Sequence, residues 1–110
     1  MLIAPLIISG VNPSSQFAKA RDASRASDMR SIQNALNREL VIKGAYPASL
    51  DELVPVQMSK IPTDPQTYKP YEYQVRNSGQ DYELCVTFES TGRMCERASE
   101  TPSTAPQIIN

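Results

Sequence analysis

The chain has 110 residues, of which 40% are hydrophobic and 21% charged, and its formal net charge at pH 7 is -1. This length supports one small domain with a modest core. A general nucleic-acid binder carries a basic excess, which this chain lacks. With no histidine and two cysteines, the usual zinc sites and the Ser-His-Asp or Cys-His catalytic sites cannot be assembled. The composition therefore argues against an enzyme, and we expect no catalytic residue and no cofactor.

The charges are unevenly distributed along the chain. Residues 1–16 carry no charged side chain, residues 17–43 carry a net charge of +3, and residues 44–110 carry a net charge of -4. Such an asymmetry favours attraction between identical subunits, with the basic segment of one against the acidic segment of another. The alternative is a solvated helix beside a mildly acidic domain.

The first segment, residues 1–14, begins with eleven apolar or small residues, MLIAPLIISGV. A membrane-spanning helix needs about 20 residues, and a secretory signal peptide has a positively charged start and a small-residue cleavage site. Pro5 and Pro13 also interrupt a straight helix. We expect this segment to be the remaining half of a longer apolar helix. A loosely packed N-terminal arm is the alternative.

A long helix is predicted from about Ser15 to Lys43, a segment without proline or glycine before Gly44. At 1.5 Å per residue it would be about 43 Å long, and Gly44 suits the left-handed position that ends helices. Large apolar residues recur at three- and four-residue spacing only in its second half, so the first half is expected to project beyond the domain. The predicted core positions on this helix are Met29, Ile32, Leu36 and Leu40.

Short-range pairs on the helix are predicted as Asp22 with Arg25, Arg25 with Asp28, and Glu39 with Lys43, because residues three or four apart are neighbours across a turn. After Pro47, the sequence Ser49-Leu-Asp-Glu52 has the pattern of a capping box. A helix of one or two turns over 50–54 is therefore predicted, with Leu50, Leu53 and Val54 packing on the long helix.

Three antiparallel strands are predicted next. Apolar residues alternate with polar ones over 71–76 and 82–88, on either side of Asn77-Ser-Gly-Gln80, which indicates a hairpin with one buried face. A third strand over 93–97 follows a turn centred on Ser90, and residues 98–110 have the composition of a loose tail. The core positions predicted on the strands are Tyr73, Leu84 and Val86. The fold class is therefore α+β, with a long N-terminal helix on a small antiparallel sheet.

The two cysteines fall at opposed positions of that hairpin. If residues 93–96 pair back across the turn, Cys85 faces Cys95, and Val86 faces Met94 with both pointing inward. This register favours a disulfide and hence an oxidising compartment. The alternative is two separate thiols in a cytosolic protein.

Several segments, in this order and spacing, resemble bacterial type IV pilin-like proteins, including the pseudopilins of type II secretion systems. The stem helix resembles the family at Val11-Asn-Pro13, Phe17-Ala-Lys-Ala-Arg-Asp-Ala23 and Ser27-Asp-Met-Arg-Ser-Ile32. The linker and the head do so at Gly44-Ala-Tyr-Pro47, Ser49-Leu-Asp-Glu-Leu53, Ile61-Pro-Thr-Asp-Pro65, Lys69-Pro-Tyr-Glu-Tyr73 and Asp81-Tyr-Glu-Leu-Cys85. The family's basic leader, cleavage site, methylated first residue and register glutamate match nothing in this sequence.

The resemblance implies a structural subunit of a type IV pilus or related pseudopilus. Such a subunit resides in the bacterial inner membrane until an assembly machinery adds it to a periplasmic or extracellular filament. Residues 15–97 would form the stem helix and the globular head, and the head would face outward. The subunit would be a homo-oligomer with no specific nucleic-acid partner. The residues implied in stem packing within the filament are Ile3, Leu6, Ile7, Ile8, Val11, Pro13 and Phe17.

Three alternatives compete with a filament subunit. Some pseudopilins hold Ca²⁺ in a head loop, for which Asp64 is a weak candidate, but no loop here has carboxylates at regular spacing. An enzyme using paired carboxylates would need a cleft that the sequence does not indicate. A soluble module that docks its N-terminal helix into a partner's groove is the main alternative function.

Overall fold

The computed structural model describes residues 13–98, and the α+β fold is confirmed. The long helix α1 (Pro13–Lys43) is followed by a short 3₁₀ helix (Leu50–Leu53) and by three strands, β1 (Glu72–Arg76), β2 (Asp81–Phe88) and β3 (Gly92–Arg97). The strands form one antiparallel sheet in the order β1-β2-β3. The predictions made for residues 1–12 and for the tail beyond residue 98 lie outside the described residues.

Helix α1 packs on the sheet mainly through the central strand β2. Its 31 residues correspond to a length of about 46 Å. The buried positions begin at Arg25 and continue at three- and four-residue spacing through Met29, Ile32 and Leu36, as one face of a helix requires. The helix ends at Gly44, which has a φ of 82° and donates its N–H to the carbonyl of Leu40 at 2.8 Å.

The predicted capping box at Ser49 is wrong. The segment forms a single 3₁₀ turn, and the Ser49 side chain makes no capping hydrogen bond. Instead the Ser49 carbonyl accepts the backbone N–H of Glu52 at 3.2 Å. Leu50 and Leu53 are both buried, and a three-residue repeat places both on one side of a 3₁₀ helix. The predicted packing of Val54 is wrong, because Val54 lies past the end of this helix and is 36% exposed. Burial of these two leucines accounts for the tighter turn.

The predicted register of the second hairpin is confirmed. Cys85 pairs with Cys95 across β2 and β3, and the two form a disulfide with a Cα–Cα distance of 4.0 Å. Val86 also pairs with Met94 as predicted, but only Val86 is buried. Met94 is 39% exposed because β3 is an edge strand and the helix lies over the centre of the sheet.

The core lies between the inner face of the sheet and the second half of α1. Of the positions predicted for it, Leu40 and Tyr73 pack against its margin and are partly buried. The other six are buried: Met29, Ile32, Leu36, Leu53, Leu84 and Val86. The rings of Tyr46 and Tyr82 add an edge-to-face contact with centroids 4.8 Å apart, a geometry that aromatic pairs favour.

Candidate functional site

A cluster of ionic side chains joins α1 to two loops of the head. At its centre is Arg25, which is only 1% exposed although arginine is rarely fully buried unless it is paired. Around it are Asp22 on the same helix, Asp64 from the loop before β1, and Glu89 from the turn between β2 and β3. We call Arg21, Asp22, Arg25, Asp64 and Glu89 the ionic cluster.

Arg25 uses its whole guanidinium group in this cluster. Nε and Nη2 donate to the two carboxylate oxygens of Asp64 at 2.8 and 3.1 Å, a bidentate geometry that is among the strongest of protein hydrogen bonds. Nη1 donates to Asp22 and to Glu89, each at 2.8 Å. Arg21 binds Glu89 from the other side, with Nε 2.5 Å from Oε2. The guanidinium of Arg25 thus connects three separate segments of the chain.

Asp22 fixes the turn between β2 and β3. Its two carboxylate oxygens accept the backbone N–H groups of Glu89 at 2.8 Å and of Ser90 at 3.0 Å. Hydrogen bonds from backbone N–H groups to an ionised carboxylate are charge-assisted and stronger than neutral ones. Asp22 accepts two of them, so the position of the turn depends on a residue of the helix.

The hydrogen bonds of the cluster keep its carboxylates ionised. Although burial opposes ionisation, the N–H groups of Glu89 and Ser90 and the Arg25 guanidinium lower the pKa of Asp22 to about 2. Hydrogen bonds from Arg21 and Arg25 lower the pKa of Glu89 to about 2. The bidentate bond from Arg25 holds the pKa of Asp64 well below its usual range. All members are therefore charged at neutral pH, and the cluster of two cations and three anions has a net charge of -1.

Asp64, the weak calcium candidate, is fully engaged by N–H donors. Besides the two bonds from Arg25, its Oδ1 accepts the backbone N–H groups of Gln66 at 2.8 Å and of Thr67 at 3.0 Å. A calcium ion needs six to eight oxygen ligands, whereas these oxygens face hydrogen-bond donors and a guanidinium. The geometry makes Asp64 a ligand of Arg25 and the residue that shapes its own loop.

The short-range pairs predicted on α1 divide between this cluster and other partners. Asp22 pairs with Arg25, and Lys43 Nζ lies 3.1 Å from Glu39 Oε2, as predicted. Asp28 does not take part in the cluster, because it accepts the hydroxyl of Tyr71 at 2.7 Å. Arg25 instead turns toward the loops of the head, where two carboxylates meet it.

The sequence contained a signal for the buried arginine that hydrophobicity alone does not show. Arg25 precedes Met29 by four residues and Ile32 by seven, so it continues the core-facing stripe toward the N-terminus. The position predicts burial, and the residue type then requires carboxylate partners. Those partners lie 39 and 64 residues away along the chain, and only the fold brings them there.

The outer face of the sheet carries a second set of ion pairs. Arg93 on β3 reaches across the central strand to Glu72 on β1, with Nη2 2.8 Å from Oε1. Glu83 on β2 lies between Arg76 and Arg97. On this face three arginines thus meet two glutamates, and each of these carboxylates is paired with at least one arginine. Cys85 and Cys95 lie near Glu83 but have no free thiolate, since they form the disulfide.

The predicted stem-packing residues fall mostly outside the described part of the chain. Ile3, Leu6, Ile7, Ile8 and Val11 lie there. Pro13 and Phe17 are at the first turns of α1 and are exposed, Phe17 at 64%. The ionic cluster begins one turn further along the helix, at Arg21.

No helix among the described residues has both the length and the apolar character needed to cross a membrane.

The chain has no significant match to a protein-family model, to a curated protein or to a solved structure.

Proposed function

We propose that this chain is a structural subunit of a type IV pilus or a related pseudopilus filament. In this proposal the apolar N-terminal segment and the first turns of α1 pack against those of neighbouring copies. The sheet side of the molecule faces outward. The subunit would reside in the bacterial inner membrane before an assembly machinery transfers it to a periplasmic or extracellular filament.

The observation that carries the proposal is the exposed start of a long helix. Pro13 lies eight residues, about 12 Å, before Arg21, which is bound to the head. Phe17, between them, exposes 64% of its surface, and residues 1–11, upstream of it in sequence, are apolar or small. A large exposed apolar residue beside an apolar segment is typical of a surface that another molecule covers.

The rest of the domain is suited to the outside of a cell. The disulfide between Cys85 and Cys95 is of the kind that persists in oxidising compartments. It closes a loop that includes the turn held by Asp22, so the edge strand is fixed covalently at one place and by ion pairs at another. This reinforcement favours a subunit exposed outside the cytoplasm.

The proposal is tested on the cells from which the protein comes. Antibodies against the purified chain, applied with gold labels in electron microscopy, should mark filaments along their length. Peptides of this chain should be identified by mass spectrometry in those purified filaments. Label confined to soluble material would contradict the filament and favour the docking module.

A variant pair tests the packing surface directly. Phe17→Asp places a charge on the exposed start of the helix and should abolish filaments, while the melting temperature of the head stays unchanged because Phe17 is outside its core. Gln74→Asp introduces the same carboxylate on the exposed face of the sheet and should leave filament yield unchanged. Normal filaments from the Phe17→Asp variant would refute the proposed packing.

A further inference from the structure

The strand β3 is an open edge of the sheet within residues 13–98. Its neighbour in the sheet is β2, and no backbone hydrogen bond from another described segment reaches Arg93 or Cys95. The six residues of β3 include no proline, and the register with β2 runs without a bulge. Prolines and bulges are two of the devices that keep an edge strand from pairing with another chain. The backbone of this edge has neither.

The distance between the two cysteines shows which backbone groups point outward from the edge. The Cα atoms of Cys85 and Cys95 are 4.0 Å apart. This spacing is typical of a non-hydrogen-bonded pair, at about 4.5 Å, and not of a hydrogen-bonded pair, at about 5.5 Å. The N–H and C=O groups of Cys95 therefore point away from β2. The two kinds of pair alternate along the ladder, so those of Arg93 also point outward, while Met94 and Glu96 bond to β2.

Charged side chains are a further protection of edge strands, and the middle of this edge lacks one that points outward. The guanidinium of Arg93 reaches across the central strand to Glu72, with Nη2 2.8 Å from Oε1, and so lies away from the edge. The next residue, Met94, is apolar and 39% exposed. An exposed apolar side chain thus lies between two residues whose backbone groups are open.

We propose that β3 pairs antiparallel with β3 of a second copy of this chain, with Met94 opposite Met94. Like charges directly opposite each other are destabilising, and this rule selects the register. Pairing centred on Arg93, Glu96 or Arg97 would place that charge opposite itself. Pairing centred on Cys95 would place Arg93 opposite Arg97. Of the registers centred on residues 93–97, the one centred on Met94 alone avoids every such opposition.

This register also satisfies the open backbone groups. Arg93 of each copy lies opposite Cys95 of the other, and each of these pairs exchanges both of its N–H···O=C bonds. The two Met94 side chains form the non-hydrogen-bonded pair between them, where side chains come closest. An edge that matches its own donors, acceptors and apolar side chain in this way favours a second copy as its partner.

The helices leave room for the contact. Pairing through β3 would place the β2 strands of the two copies three strand spacings apart, about 14 Å. Helix α1 lies over β2 in each copy, and a helix with its side chains is about 10–12 Å wide. The two three-stranded sheets can therefore join into one continuous sheet with both helices on the same face.

The contact is a property of the head and goes beyond the filament function. It is isologous, because the same strand serves both copies, and an isologous contact closes with two copies. A closed pair does not build a filament. The dimer can therefore fail while the filament stands, and the filament can fail while the dimer stands.

Hydrogen exchange of the full chain at two protein concentrations, followed by NMR, tests the pairing. The amide protons of Arg93 and Cys95 should exchange about tenfold more slowly at the higher concentration, because mass action favours the dimer. Those of Met94 and Glu96 are the internal control and should exchange slowly at both, since they bond to β2. Fast exchange of Arg93 and Cys95 at both concentrations would overturn the proposal. Slow exchange at both would also overturn it and show that the chain covers its own edge.

Two substitutions at the centre of the contact test the register. Met94→Asp places two carboxylates opposite each other and should lower the dimeric fraction in sedimentation velocity about tenfold. Gln74→Asp introduces the same group on β1, at the other edge of the sheet, and should leave that fraction unchanged. An unchanged dimeric fraction in Met94→Asp would refute the contact.

A cross-link gives a readout that does not depend on the stability of the Met94→Asp variant. Met94→Cys, after mild oxidation, should link the two copies through position 94, because a Cα separation of about 4.5 Å suits a disulfide. Peptide mapping by mass spectrometry identifies this link and confirms that Cys85 is still joined to Cys95. Ser90→Cys, in the turn before β3, is the matched control and should not link. Absence of the link at position 94, or equal linking at position 90, would overturn the proposed register.

Discussion

Removal of the Arg25 guanidinium should be the most damaging single polar substitution in the head. Arg25→Met keeps much of the side-chain volume but withdraws five hydrogen bonds, four of them to the carboxylates of Asp22, Asp64 and Glu89. The net charge of the ionic cluster changes from -1 to -2. Breaking a buried ion pair by removing one partner costs about 3–5 kcal/mol, and the higher value is expected here because three carboxylates lose the same cation.

The assay is urea unfolding of the purified full chain at pH 7, followed by circular dichroism. The free energy of unfolding of Arg25→Met should fall by about 3–5 kcal/mol, which is much of the stability of a small domain. The matched control is Arg30→Met, an exposed arginine on the same helix, and it should change stability by less than about 0.5 kcal/mol.

The pH dependence of the variant distinguishes lost charge pairing from a simple packing defect. In Arg25→Met the facing carboxylates repel one another, so protonation between pH 7 and 4 should reduce the difference in stability from the wild type. A packing defect alone would keep that difference constant. A loss below 1 kcal/mol at pH 7, or a difference that does not change with pH, would refute the assignment of Arg25 as the centre of the cluster.

Three further outcomes are expected from the same structure. Cys85→Ser should lower stability by about 2.5–3 kcal/mol for a loop of this length, and wild type and variant should melt at the same temperature once reductant is present; equal melting without reductant would contradict the disulfide. The carboxylates bound to Arg25 have lowered pKa values, so their contribution to the free energy of unfolding is present above about pH 4 and lost as the pH falls toward 2. Acid unfolding should therefore show a steep loss of stability in that interval. Gly79→Ala should lower the melting temperature more than Gly44→Ala. Both glycines have a positive φ, but an added Cβ at Gly79 would lie 2.9 Å from the Cβ of Ala45, whereas one at Gly44 meets nothing within 4 Å. Equal losses would show that the close approach is relieved without cost.

The sequence predicted those features that depend on local periodicity. The helix, the hairpin and the pairing of Cys85 with Cys95 follow from apolar spacing and from the number of residues in one turn, and both are local properties. The capping box failed because its pattern is only four residues long, and burial of Leu50 and Leu53 decided the geometry. Met94 was predicted to point inward and is nevertheless exposed, because alternation identifies a face of a strand but not whether the helix covers that part of it.

The ionic cluster lay beyond sequence reasoning for a different physical reason. Two of its three carboxylates come from loops, and loops carry no periodicity that would place Asp64 or Glu89 relative to a helix. The pairing of Asp22 with Arg25 was visible from their spacing on the helix. The place of Arg25 within the core stripe was visible too, but it is weak evidence for a residue type that usually lies at the surface.

The position of the cluster along α1 explains why a charged centre is useful there. Further toward the C-terminus, the helix is held to the sheet by apolar burial, which is strong but non-directional and leaves the helix free to slide or rotate slightly. The bidentate bond between Arg25 and Asp64 and the two turn N–H groups bound by Asp22 have fixed geometry. They lie at the level where the helix leaves the head, so they fix the direction in which its exposed start points.

If the filament forms as proposed, that direction sets the spacing between neighbouring heads. Arg25→Lys keeps the positive charge but loses the bidentate geometry of the guanidinium. This variant should form filaments of irregular subunit spacing, while its melting temperature falls less than that of Arg25→Met. Filaments of unchanged regularity from Arg25→Lys would show that apolar packing alone orients the helix.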